Sequence, residues 1–180
     1  MVQLVILITC QYTSLFQRSN QIQLIMSGIE YQSSILLSIF TWKGDEGLQT
    51  KITNNYNKSD YHEQAALLSV NEEPLICYKQ DELNWLLITS DRILSRMDSV
   101  DFSLPYSSLV EVTPAMRYEF KNRAQGLRDF TQLSVKDIKG EGHVILCEKG
   151  EPYQRIYQLL SHVTYINKTA VEEKFYQRIL

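Results

Sequence analysis

Asn84-Trp85-Leu86-Leu87-Ile88-Thr89-Ser90-Asp91-Arg92-Ile93-Leu94 reads as two apolar strands joined by a short polar turn. Leu, Ile and Trp fill the first strand without interruption, and Ser90-Asp91 supplies the turn chemistry that lets the chain reverse. Upstream, Leu75 to Lys79 forms another strand, separated from Leu83–Thr89 by the turn Gln80-Asp81-Glu82, so the segment begins as a hairpin. Downstream, short strands are expected near Val100 to Leu104, at Leu109 to Thr113 and at Met116 to Phe120, the last two bent at Pro114. Phe130 to Lys136 alternates between faces, Lys139-Gly140-Glu141-Gly142 turns, and His143 to Cys147 ends the strand-rich part. Strands this short, with turns at such close spacing, indicate a sandwich or barrel.

At Pro152 the period changes. Proline suits a first helical turn, where its missing N–H is no loss. Ile156, Leu159, Leu160, Val163 and Ile166 then follow helical spacing and need an apolar surface to cover. Ala170 to Leu180 reads as a separate terminal helix on Val171, Phe175 and Ile179. Before the strands, 26–70 reads as mostly helical. Leu48, Ile52 and Tyr56 recur every four residues, and Asp60 with Glu63 resembles a capping box. Trp42 is expected to anchor this arm, and Trp85 to pack in the barrel or at its mouth.

Strand hairpins followed by one amphipathic helix describe the PH superfold. Over about residues 71–166 the chain resembles the bacterial PH-like domains, in which a Thr-x-x-Arg turn such as Thr89-Ser90-Asp91-Arg92 joins two apolar strands. Leu104-Pro105-Tyr106-Ser107-Ser108-Leu109 is similar to the segment that follows. The resemblance implies an α+β fold: a partly open barrel of about seven antiparallel strands, capped by the C-terminal helix. The expected organisation is an apolar segment over 1–25, a helical extension over 26–70, a PH-like domain over 71–166 and a helical tail over 167–180.

The chain has 180 residues, which is enough for a substantial core without a disulfide or metal staple. Its net charge of −3 supplies no global attraction to nucleic acid or anionic lipid, so any such binding needs a local patch. Cys10, Cys77 and Cys147 are odd in number and lack CxxC spacing, which fits reduced, buried thiols in the cytoplasm. Val2 to Ile8 is nearly all apolar, but no basic residue precedes it as a secretory signal requires, and it is too short to span a bilayer. Met26 offers an alternative native start.

His62, His143 and His162 lack metal-ligand spacing, and no nucleophile elbow or phosphate-binding glycine loop occurs. No enzyme activity, cofactor or metal is therefore expected. The resemblance invites a phosphoinositide role, but Asp81 and Glu82 in the first hairpin turn would repel a phosphate. Arg117, Lys121, Arg123 and Arg128 form the one basic cluster, partly offset by Glu119 and Asp129, on what reads as a long hairpin loop. These four are the candidate contacts for an anionic partner. The expected function is a non-enzymatic binding or scaffolding module acting through protein–protein contacts, such as an immunity protein masking a toxin. The alternative is peripheral membrane association through the apolar N-terminus and the 117–128 loop.

Overall fold

The computed structural model describes residues 31–42, 46–54 and 57–176, with side chains to 172. The expectations for 1–30, including Cys10 and the Met26 start, lie outside these residues, as do those for Tyr56 and 177–180. Among the described residues, eight antiparallel strands form two sheets. The larger is a five-stranded meander: β1 (Thr50–Ile52), β2 (Pro74–Lys79), β3 (Trp85–Thr89), β4 (Arg92–Met97) and β5 (Val100–Pro105). The smaller runs β6 (Leu109–Pro114), β7 (Gln132–Asp137) and β8 (Gly142–Leu146). Helix α1 covers Ser33–Thr41, α2 covers His62–Ala65 after a 3₁₀ turn at Lys58–Tyr61, α3 covers Met116–Lys121 and α4 covers Glu151–Tyr176.

The two sheets face one another across the core, with β8 lying against β3 and β4, but among the described residues no ladder joins them into a closed barrel. Helix α4 packs on β6 and α1. Its buried stripe is Tyr153, Ile156, Leu159, Leu160 and Val163. Each such side chain is worth roughly 1.5–3 kcal/mol when withdrawn from water, so this face holds the helix.

All five residues of β3 are buried, because both faces of the larger sheet are covered. Leu86 and Ile88 point into the main core with Ile93, while Trp85 and Leu87 point outward with Cys77 and Leu94. Tyr61, Ala65 and Leu68 of the 58–68 arm close over that outer set. Trp85 thus lies beneath the arm on the outer face of the sheet, not in a barrel mouth. Burial pushes the Cys77 thiol up to about 12.

The turn at Thr89–Arg92 is held by a polar hub. The Thr89 hydroxyl and Arg92 Nε both donate to Glu72 Oε1, at 2.7 and 2.8 Å. Arg92 Nη2 and the Ser69 amide donate to Oε2, at 2.8 and 3.0 Å. The Asp91 and Arg92 amides donate back to Thr89 Oγ1, and the buried Tyr106 hydroxyl donates to the Thr89 carbonyl at 2.8 Å. Threonine and arginine are needed three residues apart here because both must reach one buried carboxylate. Burial alone would raise the pKa of Glu72, but the bonds from Arg92, the Ser69 amide and Thr89 outweigh it and draw the value down to about 2.

Three further readings of the sequence are corrected. Leu48 and Ile52 do not share a helical face, since Thr50–Ile52 is strand β1, paired with β2 through Thr50↔Tyr78 and Ile52↔Ile76. Its outward amides are taken by side chains: Thr50, Gln49 and Leu48 donate to Glu148 at 2.8, 3.0 and 2.8 Å, and Ile52 donates to Glu46 at 2.8 Å. These carboxylates occupy an edge that would otherwise be open to another strand. Gly47 makes room for the arrangement, because a Cβ there would sit 1.9 Å from Glu148 Oε2. Met116–Phe120 is helical, not a strand, as described below. Ala170 belongs to α4, which runs unbroken to Tyr176.

Asn167 fixes this part of α4 to its neighbours. It is buried on α4 and donates to the carbonyls of Tyr106 and Leu109, each at 2.7 Å, while its oxygen accepts from the Tyr31 hydroxyl. Asn167 is thus a tether between α4, the β5–β6 connection and Tyr31 just before α1.

Candidate functional site

The segment between β6 and β7 carries all four basic residues singled out in the sequence. Proline at 114 ends the β6 ladder, and the Ala115 amide makes a last bond to the Gln132 carbonyl at 3.0 Å. Helix α3 follows. Its side chains run Met116-Arg117-Tyr118-Glu119-Phe120-Lys121, a strict apolar–charged alternation that reads as a strand. The helix inverts the expectation: Glu119 is the one buried side chain and Phe120 is 70% exposed.

Glu119 is the anchor. Its Oε1 accepts from the Thr131 and Gln132 amides, at 2.7 and 2.6 Å, as the chain enters β7. One carboxylate oxygen thereby satisfies two backbone donors that α3 would otherwise cover unpaired. Oε2 is buried with no hydrogen-bond partner among the described residues. After α3 the chain turns through Arg123, which lies in the left-handed region at φ 59°. A 3₁₀ turn, Leu127–Asp129, completes the return. Asp129 Oδ2 accepts from the Gln125 amide at 3.1 Å. Phe130 then enters the core and meets Tyr153 edge-on, with ring centroids 6.1 Å apart.

Arg117 and Lys121 are exposed one turn apart on α3, with Arg123 and Arg128 exposed in the loop beyond it. The ion pairs among the described residues are Lys51–Glu46, Arg92–Glu72, Arg96–Asp101, Lys136–Glu111 and Arg155–Glu151. None uses any of the four. Glu119 offers them no surface partner, because it faces inward. The sequence reading missed the apolar members of this surface: Met116, Tyr118, Phe120 and Leu127 are all substantially exposed. Pro114 was the available signal, since a ladder cannot run through it and the residues beyond were free to change period.

The opposite character appears at the tips of the larger sheet. The β2–β3 turn exposes Asp81 and Glu82 beside Leu83, and the β4–β5 turn exposes Asp98 beside Val100. Asp98 and Ser99 both have positive φ, as a two-residue turn matched to strand twist requires. The tips are tied together: the Asp98 amide donates to Asn84 Oδ1 at 3.1 Å, and Asn84 Nδ2 donates to Asp81 Oδ1 at 3.0 Å. Arg96 is committed to Asp101 by two bonds, of 2.6 and 2.9 Å. Lys79, the one cation flanking the first turn, directs its ammonium to the Asp60 carbonyl at 3.3 Å.

The histidines stand apart. His62 is on α2, His143 on β8 stacks against Phe102 with centroids 4.1 Å apart, and His162 is on α4. Among the described residues, no three His, Cys, Asp or Glu side chains converge as metal ligands do. The largest of the described cavities, about 740 Å³, lies between the 53–69 segment and β2, with Glu72 and His62 in its wall. Glu72 is already saturated by four donors. No helix among the described residues is long and apolar enough to cross a membrane. Comparison with family models, curated proteins and solved structures found no match for this chain.

Proposed function

We propose that this chain is a non-enzymatic binding module that acts through protein–protein contacts made by residues 116–128. The observation that carries the reading is the surface on α3 and its following loop. Phe120 and Leu127, 70% and 62% exposed, stand among four cations that form no ion pair among the described residues. Aromatic and arginine side chains in one patch are the pairing most often found to dominate binding energy. Anchoring by Glu119 means the patch is held in place before a partner arrives, which lowers the cost of docking. An immunity-like role, masking an acidic face of a toxin, is one form of this function.

A PH-like architecture supports the same reading. The meander β2–β5, the three strands β6–β8 and the closing helix α4 occur in the order that the PH superfold uses, with β1 as an added edge strand. That superfold serves mainly as a scaffold, and its function lives in the surfaces grafted on it. A cytoplasmic setting fits the buried free thiols of Cys77 and Cys147.

The test is a photo-crosslinking amino acid at position 120, introduced into the protein in its native host. A discrete crosslinked species is expected, and it should be lost when Arg123→Glu and Arg128→Glu are added. No species under varied growth conditions, or one indifferent to the reversals, would count against the proposal. The exposed Phe120 and Leu127 beside cations also favour a second reading, attachment to anionic lipid. Flotation with phosphatidylglycerol vesicles that is abolished by the same reversals would select it.

A further inference from the structure

Two preorganised surfaces of opposite charge lie on one chain without neutralising each other. One is the 116–128 segment, with Arg117, Lys121, Arg123 and Arg128 around Phe120 and Leu127. The other is the pair of hairpin tips, with Asp81, Glu82 and Asp98 around Leu83 and Val100, which are 52% and 69% exposed. No ion pair among the described residues joins the two.

We propose that the partner of the 116–128 surface is a second copy of this chain, which docks its acidic hairpin tips there head to tail. The inference rests on the reading of 116–128 as a contact surface and names its partner. Three features carry it. The charges are complementary, four cations against three carboxylates, and each set stands beside exposed apolar side chains that could leave water together. Both surfaces are held before contact: Glu119 fixes α3 against β7, and Asn84 ties the two hairpin tips together. Little ordering entropy is therefore lost on association. The Arg96–Asp101 pair removes the cation nearest the tips from competition for the exposed carboxylates. Because the two surfaces differ, the contact is heterologous, and copies add in rows or close into a ring, with no self-complementary dimer.

Sedimentation velocity of the full chain tests this over a range of concentrations, at about 50 mM and about 500 mM NaCl, which span weak and strong screening. The weight-average coefficient should rise with concentration at low salt and return to the monomer value at high salt. Arg123→Glu with Arg128→Glu cancels the net charge of one surface. Glu82→Lys with Val100→Lys cancels the net charge of the other, at side chains with no hydrogen bond in the fold. Either double variant alone should associate at least about tenfold more weakly than the parent. An equimolar mixture should associate again, because each variant retains one intact surface for the other. Circular dichroism verifies that both variants fold, and Arg123→Gln with Arg128→Gln should give intermediate association.

A parent protein that stays monomeric at low salt, variants that associate like the parent, or a mixture that does not recover would overturn the proposal. If the parent is monomeric but position 120 still crosslinks to a different protein in an arginine-dependent way, self-association fails and the contact surface stands. If neither occurs, both readings fall.

Discussion

Replacing Glu72 by glutamine should convert a pH-dependent part of this protein's stability into a fixed deficit. The carboxylate is almost fully enclosed, with 2% of its side chain exposed, and receives four donors. Its pKa falls from an ordinary 4.5 to about 2. By linkage this corresponds to about 3 kcal/mol of stability. The sign follows from the depressed value: the contribution is complete above pH 4.5, where both folded and unfolded carboxyls are ionised. It is lost as pH falls towards 2, because the unfolded chain takes up the proton first. By pH 3 about 2 kcal/mol should be gone. Glutamine keeps the shape but cannot accept at both oxygens, so Arg92 loses half of its bidentate partner. Urea denaturation of the parent and of Glu72→Gln, from pH 7 to pH 3, gives the comparison directly. The parent should lead by about 2–3 kcal/mol at pH 7, with the gap narrowing below pH 5. A gap that is constant across this range, or smaller than about 0.5 kcal/mol at pH 7, would refute the account of the hub.

Other perturbations separate the parts of the fold. Leu159→Ala, at the centre of the buried stripe of α4, should cost about 2–5 kcal/mol in chemical denaturation. Asn167→Asp should cost about 3 kcal/mol or more, because it turns an acceptor towards the Tyr106 and Leu109 carbonyls, and a thermal melt will register it. Glu148→Ala should cost about 1–3 kcal/mol and accelerate amide exchange at Leu48 and Thr50 without affecting β7. Cys77 and Cys147 should resist alkylation in the folded protein and react on unfolding, as peptide mapping by mass spectrometry will show.

The legible parts of the fold were those where local chemistry and burial agree. The Trp85–Leu94 hairpin combines strand-forming residues with a turn that can only reverse the chain, and Pro152 followed by a helical stripe leaves α4 little choice. Strand β1 was illegible because its outward amides are met by Glu148, about a hundred residues away, and no window of sequence contains both. Helix α3 misled for another reason. Its alternation is that of a half-buried strand, and nothing local says that the residue turned inward will be the carboxylate. Four cations of the candidate surface could be read directly, since charge is visible in sequence. Their apolar companions could not, because Phe120 and Leu127 look like core until the chain's path turns them outward.

The grip of Glu148 on residues 48–50 also sets an order of events during synthesis. A ribosome releases β1 early, yet the side chain that secures its free edge emerges only as α4 begins. Until then the amides of Leu48, Gln49 and Thr50 can be satisfied only by water or by a stranger's backbone. Long-range closures of this kind are slow, because the intervening chain must first be ordered. The nascent protein therefore passes through an interval in which strand β1 is unguarded, and chaperone demand should peak just before residue 148 leaves the exit tunnel.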